Sequence, residues 1–419
     1  MRGERFCLIF ILCWLCCLGI LAQADSVWIV SGKVVDAKTR KPMASVSITD
    51  RQVGTVTNEE GEFTLKLRHR PETVVFSYLG YQSRRLSAEE CRQLEARQRP
   101  VMMSPSSVML SEIIVDGSDA REVVLKAVSK IADNYPRVPN LLRGFYRETV
   151  QKRQRFISIS EGVTDVYKSA YNKSDWRDGV AILKGRRLLS QRPGDTLSVK
   201  LQGGPVLPVI LDFVKERDLL LDEKELANYA FRFLVPEKTD ERMQYVVEVL
   251  PLIFQPYPLF KGRLYIDRET YAFTKIDLEM DMSAPQKVTD MILRKRPFGL
   301  RFTPKALTVS IDYKTDGGVT RINYIRNEIR FRCDWKRRLF KSNFTIVSEM
   351  VVTDRKEGQG IKPIRTRDSF NRRDNFYDKV VYFEDPDFWG NENIIEPTEN
   401  LLKGIEKIKK KLSPRLGEE

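Results

Sequence analysis

The sequence is poor in the residue types that catalyse reactions, and histidine is the clearest case. His69 is the only histidine among 419 residues, so a hydrolase triad or a histidine-rich metal site would have to be built around it. It lies between Arg68 and Arg70, and two neighbouring cations oppose its protonation and repel a metal ion. We therefore expect no catalytic or metal-binding role for His69.

Cysteine chemistry is equally constrained. The last two of the six cysteines, Cys91 and Cys333, are the only ones beyond residue 24. A nucleophilic cysteine needs a lowered pKa and a nearby base, and Cys333 has Arg332 beside it but no histidine. Export from the cytoplasm would allow the two cysteines to form a disulfide, and two separately buried thiols are the alternative.

Carboxylates are abundant, so a carboxylate-dependent hydrolase stays open as an alternative. Asp277, Glu279 and Asp281 fall on one face of a predicted strand, and the apolar residues between them fall on the other, which is typical of a solvent-facing side. The segment Gln202-Gly203-Gly204-Pro205 lacks the lysine and serine of a phosphate-binding loop. The sequence therefore predicts a protein that is not an enzyme, with no catalytic, cofactor-binding or metal-binding residues.

A proline-rich segment holds the aromatic residues that best suit binding. Three prolines between positions 251 and 258 lack the amide hydrogen that strand pairing requires, so the segment is predicted to be a loop. Aromatic rings in such a loop would suit packing against a partner protein. We predict partner binding at Phe254, Tyr257 and Phe260.

The first residues predict export. Arg2 and Arg5 precede an apolar run over residues 6–21, and the run ends in Ala22-Gln23-Ala24, a pattern typical of a signal peptide cleaved before Asp25. An uncleaved membrane helix is the alternative. No second apolar run of that length follows, so we expect a periplasmic or outer-membrane-associated protein with at most peripheral membrane contact.

The net charge of +14 is carried by short clusters of basic residues. They are Arg294-Lys295-Arg296, Lys336-Arg337-Arg338, Arg372-Arg373 and Lys409-Lys410-Lys411. For an exported chain, an envelope protein, a glycan or a lipid is a better partner than nucleic acid, and a solvated basic surface is the alternative.

Short alternating strands separated by turns follow the export signal. Four segments carry a family resemblance: Ser31-Gly32-Lys33-Val34-Val35-Asp36, Pro42-Met43-Ala44-Ser45-Val46-Ser47-Ile48, residues 54–63 (GTVTNEEGEF) and Ser77-Tyr78-Leu79-Gly80-Tyr81. In order and spacing they resemble the carboxypeptidase-regulatory-like domain. The resemblance implies a transthyretin-like sandwich of about seven strands without catalytic residues, common in envelope proteins of Gram-negative bacteria. Arg40 and Asn58 depart from the usual turn residues, where glycine and aspartate are common.

The remaining chain is predicted to be mainly β. A helical period follows the sandwich, residues 205–229 are also predicted to be helical, and strands then succeed one another from Phe231 to Thr353. This pattern indicates a large antiparallel sheet with a few helices and leaves open whether it curves into a half-barrel. The predicted organisation is a signal peptide at 1–24, a β-sandwich at 27–116, a linking helix at 119–134, a β-rich domain at 140–398 and a basic amphipathic helix at 399–412.

Two further resemblances concern the second domain. Lys261–Asp267 followed by Tyr271–Ile276 resembles a hairpin of lipoprotein-carrier-like half-barrels, and the whole arrangement, closing in Asp385-Pro386-Asp387-Phe388-Trp389, is similar to exported regulatory-domain proteins of unassigned function. Our leading hypothesis is a non-catalytic binding or assembly protein of the bacterial cell envelope, with the sandwich as docking module. A lipid or lipoprotein carrier is the alternative, beside the hydrolase.

Overall fold

A computed structural model describes the chain from Val27 to Lys410. Within that range it leaves out residues 107–118, 173–177, 193–194, 196–198, 202, 240–241, 336–340, 372–373, 375 and 383–386. The predicted signal peptide at 1–24 lies outside the described residues, as do the basic clusters at 336–338 and 372–373. Within the described ranges, no helix is both long enough and apolar enough to cross a bilayer.

The chain begins with a β-sandwich made of a three-stranded and a four-stranded sheet. Its elements are β1 (Trp28–Asp36), β2 (Ser47–Asp50), β3 (Val53–Val56), β4 (Glu62–Leu67), β5 (Thr73–Ser77), β6 (Arg84–Ser87), α1 (Ala88–Ala96) and β7 (Val101–Met103). The strand orders are β4-β1-β7 and β3-β2-β5-β6. The seven strands confirm the predicted sandwich.

Alternating residues build the core of the sandwich. In β4, Phe63, Leu65 and Leu67 are buried and the residues between them are partly exposed, as the period of two in a strand requires. The turn before β4 depends on Gly61, whose φ is +77° and whose missing Cβ would lie 2.4 Å from the Val34 carbonyl oxygen. A side chain at this position would strain the turn and collide with β1.

The two unusual turn residues are accommodated. Arg40 adopts a left-handed conformation with φ of 62°, and the Asn58 Oδ1 atom accepts hydrogen bonds from the amides of Glu60 and Glu62, each at 2.9 Å. Asparagine therefore supplies the side-chain oxygen that stabilises the turn.

Two helices follow the sandwich where one was predicted over 119–134. They are α2 (Ala120–Ser129) and α3 (Ile131–Asn134). The Asp119 carboxylate caps α2 by accepting the Arg121 amide at 3.1 Å. Val123, Val124 and Ala127 are buried on one face, which joins these helices to the core of the second domain.

The second domain is one twelve-stranded sheet. It contains β8 (Asn140–Lys152), β9 (Arg155–Lys168), β10 (Gly179–Leu189), β12 (Tyr229–Phe233), β13 (Glu237–Thr239), β14 (Arg242–Pro251), β15 (Phe260–Asp267), β16 (Phe273–Met280), β18 (Leu300–Asp316), β19 (Val319–Trp335), β20 (Ser342–Glu357) and β21 (Val381–Tyr382). The remaining strands, β11 (Lys200–Leu201) and β17 (Leu293–Lys295), pair with each other.

The described strands form an open path. Their order is β12-β14-β15-β16-β18-β19-β20-β8-β9-β10-β21, with β13 paired to β14. Two meanders meet where β20 pairs antiparallel with β8, and the end strands are β12 and β21. The structure confirms a mainly β fold with a large antiparallel sheet, which remains open between its end strands.

Residues 205–229 differ from the prediction of a helical segment. They contain only two short helices, α4 (Leu207–Ile210) and α5 (Glu223–Leu226), and a 3₁₀ turn at Arg217–Leu219. The Asp222 carboxylate caps the N-terminus of α5 by accepting the Lys224 amide at 3.0 Å. Phe213 and Leu220 are fully buried, so the segment covers the apolar face of the sheet without one continuous helix.

The sandwich packs on the opposite face of the sheet. Val56 of β3 joins a buried cluster with Phe145, Tyr324, Val351 and Trp389. Polar side chains of the sandwich also contact the C-terminal segment and the sheet. The Thr55 hydroxyl donates to the Ile394 carbonyl at 2.9 Å, and the Asn323 amide donates to the Ser47 hydroxyl at 3.2 Å.

The C-terminal helix α7 (Glu399–Lys409) docks on the sheet. The Thr398 hydroxyl caps it by accepting the Leu401 amide at 3.2 Å. Leu401, Ile405 and Ile408 pack against Phe156, Ile159 and Leu188. Its apolar face is therefore occupied by β9 and β10, and positions 411–412 of the predicted helix lie outside the described residues.

Candidate binding site

The loop between β14 and β15 contains two of the three predicted binding residues and exposes several large apolar side chains. We call it the apolar loop and define it by Leu252, Ile253, Phe254 and Tyr257, which are all exposed. Phe254 has 83% of its surface exposed. Exposed clusters of large apolar residues mark interaction sites more often than single exposed residues do.

Polar contacts hold this loop in place. The Gln255 side-chain amide donates to the Asn228 side-chain oxygen at 2.8 Å, and the Leu252 backbone amide donates to the Asn228 carbonyl at 2.8 Å. The Tyr257 hydroxyl donates to the Glu225 carboxylate at 2.8 Å. Lys287, on α6 (Pro285–Ile292), donates to the Gln255 carbonyl. A loop fixed in this way would lose little conformational freedom when it binds.

The three residues predicted to bind a partner do not form one surface. Phe254 is exposed, with the Lys287 ammonium 5.4 Å from its ring centroid. Tyr257 is 41% exposed, but its hydroxyl anchors the loop. Phe260 is only 3% exposed, because it begins β15 and packs edge-on against Phe213 at 5.1 Å. It therefore supports the core and does not contribute to the exposed surface.

Sequence reasoning missed two members of the apolar loop. Leu252 and Ile253 are exposed, but the binding prediction named only aromatic residues. The signal that could have identified them is the position of Pro251, which ends β14 while the apolar run continues through Phe254.

The residues that were considered for catalysis or metal binding make structural contacts or are buried. His69 Nε2 lies 2.6 Å from a carboxylate oxygen of the buried Asp50. Cys91 and Cys333 are free and buried in different cores, and burial raises their pKa values to about 11 and about 12. Neither thiol is therefore poised to ionise near neutral pH.

Two of the carboxylates on and directly after β16, Asp277 and Asp281, are likewise engaged in local contacts. Asp277 accepts a hydrogen bond from the Ser310 hydroxyl at 2.5 Å. Asp281 accepts from the amide and hydroxyl of Ser283 at 3.0 and 2.7 Å. Over the part of the chain that the structure describes, no three His, Cys, Asp or Glu side chains are grouped so that they could hold a metal ion.

A fully buried ion pair joins the 205–229 segment to the sheet. We call it the Asp212 cluster and define it by Lys168, Tyr171, Asp212 and Tyr313. Lys168 pairs with Asp212, and the two tyrosine hydroxyls each donate to that carboxylate at 2.7 Å. Burial alone would raise the pKa of Asp212, but Lys168 and the hydroxyls lower it below its ordinary value. The cluster contributes a tertiary link between these parts of the chain.

A second buried cluster links three strands and the C-terminal segment. The Glu161 cluster consists of Arg147, Glu161 and Arg186, in which the two guanidinium groups donate to Glu161 at 2.8 and 2.9 Å. Arg147 also donates to the Ile395 carbonyl at 2.7 Å. Burial opposes ionisation of Glu161, yet the two cations outweigh it and lower the pKa of Glu161.

Comparison with known proteins identifies the first domain. Residues 30–115 match the family model described as the CarboxypepD_reg-like domain, which confirms the resemblance found in the sequence motifs. The match covers the sandwich and ends before the large sheet. No curated protein matches the chain.

Two solved structures align with larger parts of the chain at low similarity. One is a DUF1329 family protein from Desulfovibrio piger, with 9% identity, a TM-score of 0.25, and coverage of 58% of this chain and 96% of that one. The other, from Bacteroides fragilis, is of unknown function and described as membrane-associated, with 10% identity, a TM-score of 0.14, and coverage of 78% and 98%. At these TM-scores neither structure informs the function of this chain.

Proposed function

We propose that this protein is a non-catalytic binding or assembly protein of the bacterial cell envelope, and that the apolar loop contacts a partner protein. The observation that carries the proposal is the exposure of Phe254, Leu252 and Ile253 on a loop fixed by hydrogen bonds. Export is supported by the signal-like N-terminal sequence.

In this proposal, the sandwich is a docking module that packs against the second domain of the same chain. One family motif and β4 both contact the second domain: the Gly80 amide donates to the Thr239 hydroxyl at 3.1 Å, and Lys66 of β4 and Asn393 exchange two hydrogen bonds at 2.7 and 2.9 Å. A sandwich fixed in this way would stiffen the sheet that carries the apolar loop.

The two alternatives are less well supported. A lipid carrier needs an empty apolar face, but the apolar face of the large sheet is packed with side chains from α2, α3, α6 and the 205–229 segment. A hydrolase needs facing acids open to substrate, but Asp277 and Asp281 accept hydrogen bonds from neighbouring hydroxyl and amide groups.

We expect Phe254→Ser combined with Ile253→Ser to weaken capture of the partner at least about tenfold, since a buried aromatic anchor contributes a large share of binding energy. The measurement is quantitative recovery of partner proteins with tagged variants from envelope extracts. Ile29→Ser is the matched control, because Ile29 is exposed on β1 in the sandwich. Equal recovery with both variants would contradict a role for the apolar loop.

We also propose a peripheral membrane contact at one end of the large sheet. Phe298 is fully exposed just before β18, where Leu300 pairs with Trp335. The β8–β9 turn lies at the same end, because Lys152 pairs with both Phe344 and Arg155. Exposed cations of this end are Arg153, Arg294, Lys295, Arg296 and Lys341. An aromatic residue among cations suits an anionic bilayer.

Binding to vesicles tests this contact. We expect Phe298→Ser to lower the partition coefficient onto 3:1 phosphatidylcholine:phosphatidylglycerol vesicles about tenfold, because the ring no longer inserts at the interface. Ile29→Ser should leave partitioning unchanged. Wild-type protein that sediments equally with pure phosphatidylcholine, or not at all, would count against the contact.

A further inference from the structure

A cavity of about 370 Å³ lies between the sandwich and the large sheet. Its lining is richer in cations than in carboxylates. The cations are Lys66, Arg68, Arg143, Arg355 and Lys356. The carboxylates are Asp165, Asp354 and Glu392. Five cations against three carboxylates leave a formal excess of two positive charges.

The nearby carboxylates are already engaged elsewhere. Asp165 accepts two hydrogen bonds from the Arg143 guanidinium at 3.0 and 3.1 Å. Asp354 uses Oδ1 to accept the backbone amide of Arg355 at 2.7 Å. Glu392 acts electrostatically on Arg143. These contacts compensate the positive charge of Arg143. The side chain of Arg355 receives less compensation from the carboxylates that line the cavity.

Arg355 is the group whose environment is incomplete. Its Nε atom is buried and has no hydrogen-bond partner among the described residues. Burial and the neighbouring Arg321 guanidinium lower the pKa of Arg355 and outweigh the opposing effect of Glu357 and Asp316. Lys314 lies two strands away on β18, and burial and the charge of Arg355 lower the pKa of Lys314 to about 8. An unsatisfied buried donor in a cationic setting costs free energy that an anion would recover.

We propose that this cavity binds a small ligand bearing an oxyanion of the phosphate or sulfate class, with Arg355 as its principal contact. The planar guanidinium presents donors in a fork that matches such oxyanions. The ligand would touch the sandwich through Arg68 or His69 and the sheet through Arg355 and Lys356, since all four line the cavity. Binding would therefore hold the two domains together.

Thermal unfolding with inorganic phosphate tests the site. We expect phosphate to raise the Tm of the full chain by a few degrees in a saturable way, beyond sodium chloride of equal ionic strength. Arg355→Met should bind phosphate about tenfold more weakly or worse, because a charge-assisted pair is lost. Arg301→Met removes an exposed arginine from β18 and should leave the phosphate effect intact.

The same variant separates a binding role from a structural one. Without phosphate, Arg355→Met should unfold at a temperature equal to or above that of the wild type, because it removes a cation whose buried Nε atom has no hydrogen-bond partner among the described residues. A marked fall in Tm without phosphate would instead show that Arg355 stabilises the fold, and it would overturn the proposal. Equal phosphate effects in wild type and Arg355→Met would overturn it as well.

A second probe identifies the source of the oxyanion. Phosphatidylglycerol-containing vesicles replace phosphate in the same titration. A rise in Tm that depends on Arg355 with both probes supports the site and identifies a lipid headgroup as a source. A rise with phosphate alone supports a soluble ligand. No rise with either probe contradicts the proposal, whatever the outcome for the apolar loop.

Discussion

Replacing Asp212 by leucine is expected to lower the free energy of unfolding by about 3–5 kcal/mol, because it leaves the buried Lys168 ammonium without a counter-charge. Lys168 and Asp212 are 1% and 0% exposed, so water cannot compensate the loss. The hydroxyls of Tyr171 and Tyr313 also lose their acceptor. Urea-induced unfolding followed by circular dichroism measures the change.

A double substitution separates the charge from the packing. Lys168→Met with Asp212→Leu removes both charges, and it should cost less than Asp212→Leu alone because no buried charge remains unpaired. The tyrosine hydroxyls lack an acceptor in both variants, so their contribution cancels. Equal losses in the single and double variants would contradict the ion-pair explanation.

The sign of the pH dependence follows from the lowered pKa of Asp212. A carboxyl group whose pKa is lower in the folded than in the unfolded state stabilises the fold above its unfolded pKa. That contribution is lost as the pH falls through the folded value. The Asp212 cluster should therefore contribute fully at neutral pH and weaken only in acid.

Replacing Glu161 by alanine is expected to have a similarly large effect, about 3–5 kcal/mol, because Arg147 and Arg186 are both left buried without their shared carboxylate. The Arg147 contact with the Ile395 carbonyl should also loosen, which would expose the chain around Trp389 to protease. Urea unfolding and limited proteolysis measure the two effects.

The exposed ion pair of Asp133 provides the comparison. Asp133 pairs with Lys130 and Arg137 at 3.0 Å each on the helical surface, and exposed pairs contribute little. Asp133→Ala should leave both stability and protease resistance unchanged. If Glu161→Ala behaved like Asp133→Ala, the cluster would not support the sheet.

Local patterns in the sequence predicted most strands. They could not predict the contacts between segments that are distant in the sequence. Alternation in β4 and β16 identified their buried faces. The pairing of β20 with β8 brings together distant parts of the chain, and no local pattern encodes such a choice. Ser47 and Thr55 are polar residues of sandwich strands, and their burial at the contact between the domains depends on where the second domain packs.

The candidate site was predictable only in part for related reasons. The prolines correctly placed a loop before β15, and Phe254 is exposed as the binding prediction required. Residue type could not distinguish the buried Phe260 from the exposed Phe254, because exposure depends on where β15 begins. The Asp212 cluster draws on residues from β9, the 205–229 segment and β18, and each residue alone is unremarkable in the sequence.

Site-specific photocrosslinking in intact cells tests the proposed function most directly. A photoreactive amino acid replaces Phe254 in one variant and Ile29 in a control, and captured species are identified by mass spectrometry. We predict that position 254 captures one defined envelope protein and that position 29 does not. Capture of the same species at both positions, or of no protein at position 254, would contradict the proposal that the apolar loop binds a partner.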